Sequence, residues 1–144
     1  MTSALREPFR WPVRVYYEDT DAGGVVYYAN YLRFLERART EWLAAMGFPL
    51  TVLEREHKAI FVVHRLEIEY TQPARLGEVL EVTFSVAERG RSRLIALQDV
   101  TRQGARLVHA RVTLACLDRQ SWRPARIPPS LAAKINERAP EEIA

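Results

Sequence analysis

The chain has 144 residues, 48% of them hydrophobic and 27% charged, with a formal net charge of +3 and a pI near 9.3. A chain of this length has room for one domain that buries roughly 70% of its unfolded surface, and this composition favours neither the disordered nor the membrane class. No apolar run approaches the roughly 20 residues of a membrane span and the opening MTSALREPFRWP lacks the apolar core of a signal peptide, so a cytoplasmic protein without stable membrane insertion is expected.

In chain order, VRVYYED at 13–19 alternates apolar and polar residues with a period near two, which predicts a first strand. From Asn30 to Met46 the apolar positions 31, 34, 35, 38, 42, 43 and 46 fall on one helical face. Gly47 and Pro49 supply the stop. The segment LTVLEREHK reads as a short helix or a loop. Strands follow near 60–70, 78–88, 92–102 and 105–117, separated by the turn-rich QPARLGE, RGR and RQG. The short links make the last three strands antiparallel neighbours. After PARIPPS, a terminal helix over about 130–139 can be capped by the Ser130 hydroxyl. The sum is an α+β domain spanning 1–144, in which a five-stranded curved antiparallel sheet wraps one long helix.

Chemistry concentrates between the first strand and that helix. Asp19, Thr20 and Asp21 precede Gly23 and Gly24, whose lack of side chains leaves backbone N–H groups uncovered near a helix start. Such amides, in the positive field of the helix terminus, suit a developing oxyanion and keep a neighbouring carboxylate ionised. Asp21 is the candidate base or nucleophile, and Asp19 either orients it or caps the turn. A kit of one carboxylate and one oxyanion site suits thioester hydrolysis. A thiolate, from a thiol of pKa about 8.5, departs with little help, whereas an amide nitrogen must be protonated.

The stretch VRVYYEDTDAGGVVYYANYLRFLERARTEWL resembles the signature of hotdog-fold acyl-CoA thioesterases of the YbgC type, the tol-pal-associated branch of the 4-hydroxybenzoyl-CoA thioesterase family. The likeness continues through FVV, EYTQPARLGEVLEV and RGRS. It implies the hotdog fold, hydrolysis of acyl-CoA without metal or cofactor (coenzyme A being part of the substrate), and active sites built where two subunits meet. A dimer is the minimal unit implied and a tetramer the expected assembly. The catalytic aspartate falls on Asp21 and the oxyanion amide on the backbone from Gly24 to Tyr27. Tyr28 stands where many YbgC-type members carry histidine. It either donates its phenol to the reaction or packs beside the acyl group.

The same likeness brings Val62, Val63 and His64 near the acyl pocket. A catalytic His64 would instead suit a hotdog hydratase or dehydratase acting on enoyl-CoA. His57 and His109 adjoin no part of the Asp21 motif in sequence. Glu36 is a second carboxylate on the long helix, which the flanking Arg33, Arg37 and Arg39 are expected to neutralise. Arg89, Arg91, Ser92 and Arg93 form either a plain basic turn or, as the likeness implies, a clamp for the phosphates of coenzyme A. Only Lys58 and Lys134 accompany the arginines. Arginine suits phosphate, and an acidic acyl carrier protein would suit it too. With neither a base-reading helix nor an aromatic RNA-binding motif, nucleic acid is excluded as a partner. Cys116 reads as a small buried hydrophobe without thiol chemistry. A non-catalytic module that binds acyl-CoA or an acyl carrier is the remaining alternative. Tyr27, Tyr28, Tyr31 and Phe61 are candidate pocket walls, and the acyl group itself is left open.

Overall fold

The structure, a computed structural model, describes residues 7–138. Its strands are β1 (Phe9–Arg14), β2 (Ala59–Tyr70), β3 (Val79–Arg89), β4 (Arg93–Arg102) and β5 (Ala105–Asp118). They form one curved, wholly antiparallel sheet in the order β1-β3-β4-β5-β2. The β4–β5 turn is two residues long, with Gln103 and Gly104 both at positive φ (51° and 84°). That geometry matches the right-handed twist of the flanking strands.

Three helices accompany the sheet: α1 (Tyr31–Ala45), α2 (Leu50–His57) and α3 (Pro129–Arg138). The apolar stripe read from the sequence is the face α1 buries. Phe34, Leu35, Ala38 and Trp42 are all sequestered from solvent, and the Trp42 ring lies 4.3 Å from that of Phe84 on β3. Each large side chain buried in this way contributes roughly 1.5–3 kcal/mol. At the helix–sheet contact, the buried Gln98 of β4 donates Nε2 to the Leu35 and Thr83 carbonyls and accepts from Arg39. A fully buried amide is thereby satisfied from three sides, as its desolvation requires.

Two boundaries differ from the sequence reading. The first strand was expected over 13–19 but occupies Phe9–Arg14, and Tyr17–Asp19 form a 3-10 turn. Val15 still pairs with Gly77 and Glu78 just before β3, and from Tyr16 on local bonds replace the ladder. Asp19 accepts from the Tyr16 amide, and the Thr20 hydroxyl donates to the Tyr17 carbonyl. Pro12 sits within β1 because this is an edge strand, where a missing N–H is tolerated. At the other end, α3 starts at Pro129, so Ser130 lies inside the first turn and is not its cap. Residue 139 of the expected helix lies outside the described residues.

Candidate active site

Thr20 and Val26 bridge across a tight turn that presents Asp21. Within it the Asp21 amide donates to the Val25 carbonyl (2.9 Å) and the Gly24 amide to the Asp21 carbonyl (3.0 Å). Gly24 holds φ +80°, a conformation that disfavours any residue with a Cβ. At Gly23 a Cβ would stand 3.2 Å from Asp21 Oδ1, so glycine lets the carboxylate fold over the turn and accept from the Gly23 amide at 2.8 Å. Asp21 is exposed, and among the described residues its Oδ2 has no partner.

Asp19, two residues earlier, has the opposite fate. It is buried (3% exposed), with Oδ2 accepting from the Tyr16 amide at 2.8 Å and Oδ1 from Asn30 Nδ2 at 2.7 Å. Its carbonyl accepts the Tyr27 amide at 3.0 Å. Asp19 therefore fastens the end of β1 to the entrance of α1, whereas Asp21 stays at the surface.

Of the backbone from Gly24 to Tyr27, where the sequence suggested oxyanion donors, most amides are already engaged. The amides of Gly24 and Tyr27 are both spent on carbonyls within the turn, so neither is free to receive a substrate oxygen. The next two, Tyr28 and Ala29, open the 3-10 turn Tyr28–Asn30 that leads into α1, and among the described residues they have no acceptor. Together with the Val25 amide, which likewise has no acceptor among the described residues, these are the open donors between the turn and the helix mouth. Asn30, at the N-cap position, turns its side chain to Asp19 and caps nothing on α1.

Tyr28 is exposed and its hydroxyl is unbonded among the described residues. Its ring packs against Tyr27 (5.0 Å) and edge-on to Tyr70 (6.2 Å). The Tyr70 hydroxyl donates to the Tyr28 carbonyl at 3.1 Å, and the buried Tyr31 hydroxyl accepts from the Ala74 amide at 3.0 Å. Burial raises both the Tyr31 and Tyr70 phenols above their ordinary value, so each keeps its proton. Together with Val26, Gln72 and Pro73, Tyr28, Tyr31 and Tyr70 line a cavity of about 270 Å³ at the mouth of α1.

A second cavity, of about 390 Å³, lies between α1, α2 and β2, with Glu36, Arg39, Leu43, Phe61, Val62 and Val63 in its walls. Asp21 lines neither cavity. Its carboxylate is exposed at the surface. Glu36 forms no ion pair among the described residues, contrary to the expectation that neighbouring arginines neutralise it. On β2, the register passes from Val63 to Arg65 and leaves His64 as the extra residue of a bulge. Among the described residues His64 is exposed and bonded to no carboxylate. His57 packs on Phe48, and His109 is held by Asp99 at 2.6 Å.

The basic turn divides. Arg89 is held to α3 through Asn136 (2.9 Å) and to the Gly90 carbonyl. Arg91 and Arg93 are exposed, and their guanidinium groups have no acceptor among the described residues. Ser92 lends its carbonyl to the Cys116 amide. Cys116 itself is buried, and burial pushes its thiol up to about 11, out of range for a thiolate at neutral pH.

The sequence pattern of the Thioesterase-like superfamily matches residues 15–135. The chain belongs to that superfamily. It is 44% identical over 130 residues to the acyl-CoA thioester hydrolase YbgC of Escherichia coli, an alignment that covers 90% of this chain and 96% of that one. It is 43% identical over 132 residues to the acyl-CoA thioesterase YbgC of Haemophilus influenzae, covering 92% and 97%. Among solved structures, a probable thioesterase from Bartonella henselae superposes with a TM-score of 0.81 at 33% identity, covering 85% of this chain and all of that one. The YbgC-type likeness, the hotdog fold and the assignment as a thioester hydrolase therefore stand together.

Proposed function

We propose that the protein hydrolyses acyl-CoA thioesters to a free carboxylic acid and coenzyme A, with Asp21 as the catalytic carboxylate. The observation behind this reading is the unpartnered Asp21 Oδ2 in a turn that leads to the open amides of Tyr28 and Ala29. A carboxylate without an internal partner has capacity for water or for the carbonyl carbon, and two peptide donors without acceptors have capacity for an oxyanion.

In the general-base form, Asp21 takes a proton from water as the hydroxyl oxygen adds to the thioester carbon, and the carbonyl oxygen becomes an oxyanion held by the Tyr28 amide. Collapse re-forms the carbonyl and breaks the C–S bond. The thiolate of coenzyme A then leaves, and the proton on Asp21 returns to it or to solvent. In the nucleophilic form, Asp21 adds to the carbonyl directly and water cleaves the resulting anhydride. Single turnover in labelled water separates the routes, because only the second deposits solvent oxygen in the Asp21 side chain. The Tyr28 hydroxyl is proposed either to donate to the carbonyl or to wall the acyl group. Neither route calls on a metal or a resident cofactor.

Arg91 and Arg93 are proposed to hold the phosphates of coenzyme A, with Arg89 and Ser92 supporting the turn that displays them. The site is proposed to be completed by a second copy of the chain. β2 is a 12-residue edge strand with one unpaired side and an exposed Val63, the kind of edge that pairing with another strand covers. That pairing gives a dimer, and a tetramer of such dimers is the larger assembly proposed. An acyl carrier protein is a second proposed thioester donor. No helix among the described residues is long and apolar enough to cross a membrane; the proposed setting is the cytoplasm.

A hydratase reading needs His64 beside a carboxylate, and among the described residues no such pair forms. Purified protein incubated with acyl-CoA and a thiol-reactive dye tests the proposal. Release of free thiol that the Asp21→Asn variant loses supports it, while retention of acyl-CoA without release points to a binding module. Hydration of an enoyl-CoA with no thiol released overturns it.

A further inference from the structure

Arg39 is an unusual wall for an apolar cavity. It projects from the middle of α1 into the 390 Å³ space, where Leu43, Phe61, Val62, Phe84 and Leu94 are among its neighbours in the lining. A guanidinium has five N–H donors. One nitrogen, Nη1, donates to the neutral Gln98 Oε1 at 3.1 Å. Among the described residues that is the only hydrogen bond the Arg39 side chain makes, and no carboxylate oxygen lies within 4.0 Å of it. Its other nitrogens are not sealed in protein either, because the described residues contain no buried, unpartnered side-chain nitrogen. Those donors therefore reach accessible space.

The two carboxylates in the lining do not satisfy it. Glu54 is engaged by Arg119 at 3.3 Å, and Glu36 is exposed on the helix one turn earlier, acting on Arg39 only at a distance. Burial opposes the charge on Arg39 and lowers its pKa from the ordinary arginine value, a cost that an anion brought to the free side of the fork would offset. If the role of Arg39 were only to support Gln98, a neutral donor would suffice.

We infer that Arg39 is a specificity-determining residue, binding a carboxylate carried at the distal end of the acyl group. The inference rests on the acyl-CoA reading above and names the substrate class within it: straight-chain acyl groups with a terminal carboxylate. At a rise of 1.5 Å per residue, Arg39 stands about 12 Å along α1 from Tyr31. The thioester at the mouth of the helix and the far end of a chain lying along it would thus be recognised separately. The apolar walls accommodate the methylenes, and the planar fork can donate to two carboxylate oxygens at once. The cavity volume lies within the range of small-molecule sites, about 300–1,000 Å³.

The test compares a straight-chain acyl-CoA with the acyl-CoA of equal length that ends in a carboxylate. Both are assayed for thiol release on the wild type, and both are titrated for binding to the Asp21→Asn variant. The carboxylate-ended substrate is expected to be favoured in kcat/KM and in binding by about tenfold or more, as for a hydrogen bond to a charged group. Arg39→Met should bring the ratio to about one, and Arg39→Lys should restore part of it. Wild type favouring the plain chain, or Arg39→Met lowering both substrates alike, would overturn the inference. Since the wild-type ratio is read without any variant, a poorly folding Arg39→Met does not blunt the test. Absence of thiol release from both substrates counts against hydrolysis alone, and the binding ratio still decides the role of Arg39.

Discussion

The two ends of α1 are built on opposite principles. At the C-terminus the carbonyls of Leu43, Ala44 and Met46 all find donors. The Gly47 amide reaches Ala44, the Phe48 amide reaches Leu43, and Lys134 Nζ closes on the Met46 carbonyl at 2.7 Å. This is the paired arrangement in which a glycine at positive φ ends a helix. At the N-terminus the Asn30 side chain is turned to Asp19, and the Tyr28 and Ala29 amides lack acceptors. Capping them would make the helix more stable, since an N-cap bond contributes about 1 kcal/mol. An end left open at that cost is consistent with the reactive site proposed for this turn.

Asp21 and Asp19 make the contrast testable within three residues. Asp21→Asn keeps an acceptor for the Gly23 amide but removes the base, so kcat should fall by about 10²-fold or more while the unfolding midpoint hardly moves. Asp19→Ala should behave inversely. It removes the acceptor for the Tyr16 amide and for Asn30, and denaturant unfolding should show a loss of about 2–3 kcal/mol. Activity would then follow the folded fraction. If Asp19→Ala proved stable and inactive while Asp21→Asn remained active, the roles assigned to the two carboxylates would have to be exchanged.

The basic turn offers a smaller version of the same contrast between engaged and free groups. Arg91→Ala or Arg93→Ala should raise KM for acyl-CoA by about tenfold with kcat little changed, because phosphate contacts made equally in ground and transition states affect binding alone. Arg89→Ala, which removes the link to Asn136 on α3, should show up first as lost stability. Steady-state kinetics and thermal melts on the three variants sort them.

What could be read from the sequence was what periodicity encodes. Tyr31, Phe34, Leu35, Ala38 and Trp42 repeat at helical spacing and are the residues α1 buries; Leu94, Ala96 and Val100 alternate along β4 and face the core. The start of β1 was not legible, because Pro8 and Pro12 argue against a strand and only its edge position makes Pro12 acceptable. At the site, the residue types pointed to Asp21 as the open carboxylate. Which amides stay open depends on a bridge between Thr20 and Val26 that spends those of Gly24 and Tyr27 nearby. Arg39 was masked for a different reason. Among Glu36, Arg37 and Glu41 it looks like one more charge on a solvated face, and only the buried Gln98, 59 residues away, draws it inward.

Gly47→Ala probes the closed end of α1 and should give the smallest of these effects. Gly47 sits at φ +89°, so alanine there brings a strain of roughly 1–2 kcal/mol, and its Cβ would also stand 3.0 Å from Lys134 Nζ. The two contributions separate in a double mutant. The contact is with the tip of a flexible side chain, which can swing aside only by giving up its bond to the Met46 carbonyl. If strain dominates, Gly47→Ala should cost as much in a Lys134→Ala background as in the wild type; if crowding dominates, the cost should shrink there. Thiol release should be unaffected in both backgrounds, because this end of the helix takes no part in the chemistry. A loss of activity without a loss of stability would mean that the two ends of α1 are not independent.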